Sequence, residues 1–411
     1  MLIPKLRFKR EDGTDYPEWE DWVLDSIGSF YGGLSGKTKE DFGKGNSKFV
    51  TYMNVYKNIF AMQEMLESVD ISDNEKQNKV KYGDLLMTQY SETVEELGMS
   101  SVYLFYDEPY LNSFCFGLHL YNHALTYPMY IGYLMRSEAI RKQIMREGQG
   151  ISRINLSPNR MKGMILSLPC LEEQQKIADF LSNVDEVIAQ SEAEVANLQQ
   201  QKKAAMQKIF SQKVRFKRED GTSYPEWEEL PLGQIVEQNN IPVENPGSNY
   251  VKLAIRSHCK GTFHKPINSK EDGLDVDKMY LVEANNLIVN ITFAWEHAIA
   301  ITKPEDAGTY VSHRFPQYKF VNGNIPAFYA YVIKNPRMKY EMGLCSPGGA
   351  GRNRVLKQND FLLIPMARPC IEEQQKIADF LATYDEAISC AKQELDKWKE
   401  LKKGLLQQMF A

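Results

Sequence analysis

The chain has 411 residues, 43% of them hydrophobic, which is enough to bury cores and too many for a disordered chain. At about 150 residues per domain this length suggests two to three domains. A formal net charge of -5 excludes a uniformly basic polyanion binder, so any nucleic-acid surface has to be local. The six cysteines, Cys115, Cys170, Cys259, Cys345, Cys370 and Cys390, form no C-x-x-C pair. That argues against a zinc ribbon or redox motif and for reduced thiols in the cytoplasm. Neither a signal-like apolar run after Met1 nor a membrane-length apolar stretch of ~20 residues is present.

In chain order, residues 1–20 carry a polar segment, Leu6–Glu20 (LRFKREDGTDYPEWE), with a tight-turn signal at Asp12-Gly13. Block 21–170 follows. Within it Gly83–Met87 reads as a strand, Met129–Met135 as an apolar helix, and Glu147–Gly150 as a glycine-rich stretch. A long helix is predicted over 171–213, because Leu171–Gln212 holds neither Pro nor Gly. Residues 214–228 then repeat the opening: Val214–Glu228 (VRFKREDGTSYPEWE) agrees with Leu6–Glu20 at 13 of 15 positions.

Block 229–369 follows the plan of the first block with different residues. Asn285–Val289 parallels Gly83–Met87, Val311–Phe315 parallels Asn112–Phe116, Ala327–Ile333 parallels Met129–Met135, and Gly348–Gly351 parallels the earlier glycines. Residues 370–411 form a second long helix. Its opening, Pro369–Leu381 (PCIEEQQKIADFL), matches Pro169–Leu181 (PCLEEQQKIADFL) at 12 of 13 positions. A period near 200 residues is too long for a solenoid, so this is a duplicated domain-plus-linker unit.

Both long segments hold one heptad phase: Ile177, Leu181, Val184, Ile188, Ser191, Val195, Leu198, Lys202, Ala205 and Ile209, then the residues 200 further on, Ile377 through Lys402 to Met409. That is a coiled-coil pattern. A lone seam lysine, Lys202 or Lys402, either fixes register or reaches out to water near a frayed end. Neither helix, ~63 Å long at 1.5 Å per residue, can hide such a stripe alone. The expected fold is α+β: two variable domains separated by two long antiparallel coiled-coil helices in a pseudo-two-fold internal repeat. The final helix would supply the first repeat segment with the neighbour that it lacks in sequence.

The paired Glu172–Ala178 and Glu372–Ala378 motifs (EEQQKIA), each behind a ~150-residue variable block and each opening a long helix, resemble the specificity subunits of type I restriction-modification enzymes across essentially the whole chain. The resemblance implies that each variable block is a target-recognition domain for one half of a bipartite DNA target. It implies partners as well: two modification subunits that use S-adenosylmethionine to methylate an adenine in each half, and restriction subunits that use ATP and Mg. No cofactor or metal is expected on this chain, and no catalysis. The methyltransferase N-P-P-Y motif, G-x-G-x-x-G and a phosphate loop are all missing. Glu400-Leu401-Lys402 lies within a heptad helix, and His119 and His123 fall where the sequence reads as a strand. The alternative is a coiled-coil scaffold that binds protein instead of DNA.

Charge divides unevenly along the chain. The helical segments 171–213 and 370–411 each carry -2, block 21–170 carries -2, and block 229–369 carries +3. Base reading needs hydrogen-bonding side chains on loops or element ends. In the first block the candidates are Lys37, Thr38, Lys44, Thr88, Gln89, Ser91, Arg153 and Asn155. In the second they are Arg256, Lys260, His264, Lys265, Asn290, Thr292, His313, Arg314, Arg352, Asn353 and Arg354. The last three follow glycines that would admit close backbone approach.

Overall fold

The computed structural model describes residues 4–72, 74–121, 123–150, 153–269, 271, 276–349 and 354–410. Two compact units share the chain: Met1–Ala193 with Lys392–Ala411, and Glu194–Ala391. The sequence divides the chain at the helix ends, whereas the compact units divide within the two helices, Leu171–Phe210 and Ile371–Met409. The two halves of each helix are buried with different blocks.

In the first unit a four-stranded antiparallel sheet runs in the order Gly28–Gly32, Cys115–Leu120, Leu85–Thr88, Ser100–Val102. Leu85–Thr88 is buried along its whole length, as the apolar run Leu85–Met87 requires of its first three residues. Helix Pro128–Arg136 packs on this sheet through Tyr130, Ile131 and Leu134, in one core with Leu85 and Met87. A second sheet places Phe42–Val50 between Leu66–Val69 and the parallel strand Tyr110–Leu111.

The second unit repeats this plan. Its four-stranded sheet has the equivalent order Val236–Gln238, Gln317–Phe320, Leu287–Val289, Ile299–Ile301. Tyr250–Ile255 lies between Thr262–Ile267 and the parallel strand Tyr310–Val311, and two further strands, Ile241–Glu244 and Lys278–Leu281, extend that sheet to five. Helix Pro326–Val332 takes the place of Pro128–Arg136, each with proline in the first turn, where its missing N–H costs nothing. The predicted strands at Leu85 and Leu287 and the predicted helices at Met129 and Ala327 are therefore all present.

The duplicated motifs form a clasp in each unit. The Glu173 carboxylate, with no exposed side-chain surface, accepts from Arg7 Nε (3.1 Å) and Nη2 (2.9 Å). Arg7 Nη2 also donates to Pro17 O at 2.6 Å. Gln174 accepts from Tyr127 N (2.8 Å) and donates to Leu125 O and Pro169 O (both 2.9 Å), and Lys176 Nζ reaches Lys9 O at 2.9 Å. Ile177 and Ala178 enter the core. In the second unit Arg215 holds buried Glu373 at 3.3 and 3.0 Å, Trp227 Nε1 adds 2.9 Å, Gln374 accepts from Ile325 N at 2.9 Å, and Lys376 reaches Lys217 O at 2.9 Å. The matched glutamates and lysines thus have their partners in the other matched segment, and each glutamine ties its helix to the block beside it, which explains why both flanks match while the blocks between them differ.

The end of the final helix does sit beside the first repeat segment: Lys5 N and Leu6 N donate to Gln408 O at 2.8 and 3.1 Å. In the second unit Val214 N donates to Lys208 O at 3.2 Å in the same role. Within each unit the two half-helices run antiparallel. In the first, Lys399 pairs with Glu192 (2.6 Å) while Lys402 pairs with Asp185. The seam lysines are not frayed. Lys402 has 17% of its side chain exposed and Lys202, paired with Asp385, has 12%. Each aspartate also accepts from a tyrosine of the block's own helix: Tyr133 to Asp185 at 2.8 Å and Tyr331 to Asp385 at 2.7 Å. Burial opposes ionisation of Asp385, but the bonds from Lys202 and Tyr331 outweigh it and hold its carboxyl below the ordinary range. A charged residue at one seam position ties the helix pair to the block above it, the register role.

His297, in the left-handed conformation, is buried with Nε2 2.7 Å from Ile333 O. Burial lowers its pKa, against the opposing bond to Ile333. The unfolded chain therefore takes up the proton first as pH falls, and stability present above about pH 6.5 is progressively lost below it. Urea unfolding of the second unit should show a lower midpoint at pH 5.5 than at pH 7. His297→Gln should flatten that difference, and an equal drop in the variant would reject the assignment.

Candidate nucleic-acid interface

In each unit three loops meet at one end of the central strand. In the first, Gln89 N donates to Phe114 O (2.9 Å), Leu156 N to Gln89 O (2.8 Å) and Cys115 N to Asn112 O (3.0 Å), while Asn112 Oδ1 accepts from Phe114 N (2.9 Å). In the second, Ile291 N donates to Arg314 O (3.0 Å), Leu356 N to Ile291 O (2.9 Å) and Phe315 N to Ser312 O (3.0 Å), while Ser312 Oγ accepts from Arg314 N (3.4 Å). Bond for bond, Phe114 stands where Arg314 stands, Gln89 where Ile291 stands and Tyr90 where Thr292 stands. Asn112 is thus equivalent to Ser312, a one-residue correction to the sequence pairing with Val311. Turn geometry sets this register, and the apolar pattern does not encode it.

Around this point the first unit opens a cleft of about 360 Å³ lined by Tyr52, Tyr56, Tyr90, Phe114 and Arg153, with Glu92 and Glu96. The Arg153 guanidinium lies 5.3 Å from the Tyr90 ring centroid, and the Tyr90 and Phe114 rings meet edge-on at 5.7 Å. Helix Tyr52–Lys57 supplies one wall. Arg136 pins it by donating to Val55 O and Tyr56 O (3.0 Å each) and Asn58 O (3.1 Å). Burial lowers the Arg136 pKa to about 10, so it stays charged at neutral pH.

The remaining candidates of the first block fall as follows. Gln89 is half-buried, and Arg153, Asn155 and Lys44 are exposed. Thr88 is fully buried, and Ser91 is buried with its hydroxyl on Thr93 O (2.7 Å), so both shape the loop without facing outward. Lys37 is engaged by Glu75 at 2.6 Å with 6% of its side chain exposed, and Thr38 caps a short turn through Asp41. The Lys37 bond leads the causes that lower the Glu75 carboxyl to about 2. These two residues lie apart from the cleft.

In the second block Arg314 Nη1 donates to Thr292 Oγ1 at 3.3 Å, with His313 exposed beside it. Asn290 and Thr292 are themselves buried, Asn290 Oδ1 accepting from Thr292 N at 3.1 Å. Arg354 turns back onto the end of helix Pro336–Leu344, donating to Ser346 O (3.2 Å) and Gly343 O (3.3 Å), 5.3 Å from the Trp295 ring. Arg352 and Asn353 lie outside the described residues. Arg256, Lys260, His264 and Lys265 belong to a different place, the hairpin Tyr250–Ile255/Thr262–Ile267. Arg256 donates to Thr262 O (2.7 Å) and lies over Phe263, His264 bonds buried Asp306 (2.8 Å), and Lys260 and Lys265 are exposed. Sequence reasoning passed over Phe114 and Tyr52, because exposure of an aromatic ring leaves no local pattern.

Among the described residues no group of three or more His, Cys, Asp or Glu side chains is arranged to hold a metal. His119 lies on strand Cys115–Leu120 with Nδ1 2.7 Å from Asp84 Oδ1. No described helix is long and apolar enough to cross a membrane.

One clasped scaffold that presents two different side-chain sets at equivalent loops defines a duplicated recognition module. The type I restriction modification DNA specificity domain matches residues 17–200 and 225–399, and the chain belongs to this family of DNA specificity subunits. It is 25% identical over 358 residues to a putative type I restriction enzyme MjaX specificity subunit of Methanocaldococcus jannaschii, covering 82% of this chain and 80% of that one. It is 22% identical over 294 residues to the MjaVIII specificity subunit of the same organism, 68% of each chain. Among solved structures, the S subunit from M. genitalium superposes with a TM-score of 0.57 at 14% identity, over 100% of this chain and 99% of that one. The HsdS subunit from Thermoanaerobacter tengcongensis superposes with 0.50 at 14% identity, over 96% and 97%. These likenesses are of fold. Family membership excludes the reading as a coiled-coil scaffold without DNA specificity.

Proposed function

We propose that blocks 21–170 and 229–369 each read one half of a split double-stranded DNA target, with the long helices setting the gap between halves. Two modification subunits dock on the chain and methylate an adenine in each half, using S-adenosylmethionine. Restriction subunits cleave unmethylated DNA with ATP and Mg. The chain itself contributes recognition and no catalysis, and it works in the cytoplasm. The observation that carries this reading is the matched backbone frame around Phe114 and Arg314: one geometry, two unlike sets of outward groups, as two half-sites of different sequence require.

Genome-wide adenine methylation in cells with and without the chain tests it. Loss of one split motif with a fixed gap, methylated on both strands, is expected. An unchanged methylome with the modification subunits present would refute it. Lys260 and Lys265, exposed on the hairpin, are assigned to phosphate. Lys260→Gln with Lys265→Gln should weaken binding about equally on target and non-target duplexes and lower the salt slope of log K by roughly 1 per lost contact. A change of preferred sequence with the slope intact would assign these lysines to bases instead.

A further inference from the structure

We propose that residues 114 and 314 are equivalent base-reading positions with opposite chemistry: Phe114 selects a T·A pair through the thymine methyl, and Arg314 selects a G·C pair through the guanine edge. This rests on the reading of both units as DNA readers. Four backbone or turn bonds place the two residues identically, as given above. Each side chain meets the residue one past the central loop contact: Phe114 against the Tyr90 ring at 5.7 Å, Arg314 against Thr292 Oγ1 at 3.3 Å. The position is therefore paired in the same way in both units, and only the chemistry differs.

Phe114 is 51% exposed, although burying a ring is favourable and Tyr52 and Tyr90 lie in the same cleft. Arg314 spends one Nη1 bond on Thr292 and forms no ion pair among the described residues, which leaves most of its five donors for another acceptor. In the major groove guanine offers N7 and O6 to an arginine fork, and the thymine C5 methyl is the apolar group that a phenyl ring can cover. The block charges agree. The first block, at -2, reads with rings, and the second, at +3, reads with a cation.

The test is selection from a randomised duplex library by the full chain assembled with its modification subunits. Arg314→Gln is expected to move one position of one half-site from G to A. Phe114→Arg is expected to move one position of the other half-site from T to G. Each change should shift discrimination at that position roughly 5- to 150-fold while the second half-site and the gap stay as in the wild type. The unaltered half-site reports that the chain is folded. If a substitution abolishes its own half-site as a whole, Arg314→Lys and Phe114→Leu replace it, and retained base preference with weaker binding is expected. A wild-type split motif that neither Arg314→Gln nor Phe114→Arg alters, or a base preference lost in Arg314→Lys or Phe114→Leu, overturns the inference and spares the function. A wild type that selects no split motif overturns the function itself, and this inference with it.

Discussion

Phe410→Ala should destabilise the first unit by about 3–5 kcal/mol, the cost of emptying a well-packed aromatic site. Phe410 is 1% exposed, its ring 5.5 Å from that of fully buried Tyr130, in one core with Trp19, Ile177 and Leu181. Its counterpart Phe210 is only half-buried, 6.0 Å from Phe328 in the second unit, so Phe210→Ala should cost less. Hydrogen exchange distinguishes the two: Phe410→Ala should weaken protection of Leu85–Thr88, and Phe210→Ala that of Leu287–Val289. Unchanged protection of Leu85–Thr88 in Phe410→Ala would sink this account.

Arg215→Ala should cost the second unit a similar ~3–5 kcal/mol, because it strips two donors from a carboxylate that cannot reach water. Glu373 would keep Trp227 Nε1 alone. Replacing the pair together, Arg215→Ala with Glu373→Leu, should recover part of the loss, since no buried charge is then stranded. Thermal unfolding of the two single variants and the double completes the cycle. A double variant as unstable as the sum of the singles would mean that the arginine acts through packing and not through Glu373.

The sequence revealed the architecture because the architecture is written twice. Glu173 and Glu373 must each meet an arginine in a matched segment, so both copies hold the same letters, and the heptad phase is a periodic demand that no block can vary. The surface proposed to read DNA was less visible. Thr88, Ser91, Asn290 and Thr292 are polar residues after a strand, which marks a loop, but whether such a residue faces outward depends on three loops converging. Lys37 and Arg354 are cations with internal acceptors that only tertiary structure supplies. Gln89, Arg153 and Arg314 did fall at the convergence, because each follows a strand or a glycine turn. The aromatic Phe114 could not be separated from core phenylalanines by sequence.

The division of the final helix has a consequence for the order of synthesis. The ribosome delivers every residue of Glu194–Ala391 before it delivers Lys392, although the first unit began to emerge earlier. The half of the chain that starts first is thus the half that finishes last: its core stays open at the Tyr130 site until Met409 and Phe410 arrive. In order of synthesis the residues of the second unit are complete while the first unit still lacks part of its own, reversing the usual N-terminal-first order. Such a chain exposes the apolar wall around Tyr130 during elongation, and translation stalled before Met409 leaves a first unit without its closing piece.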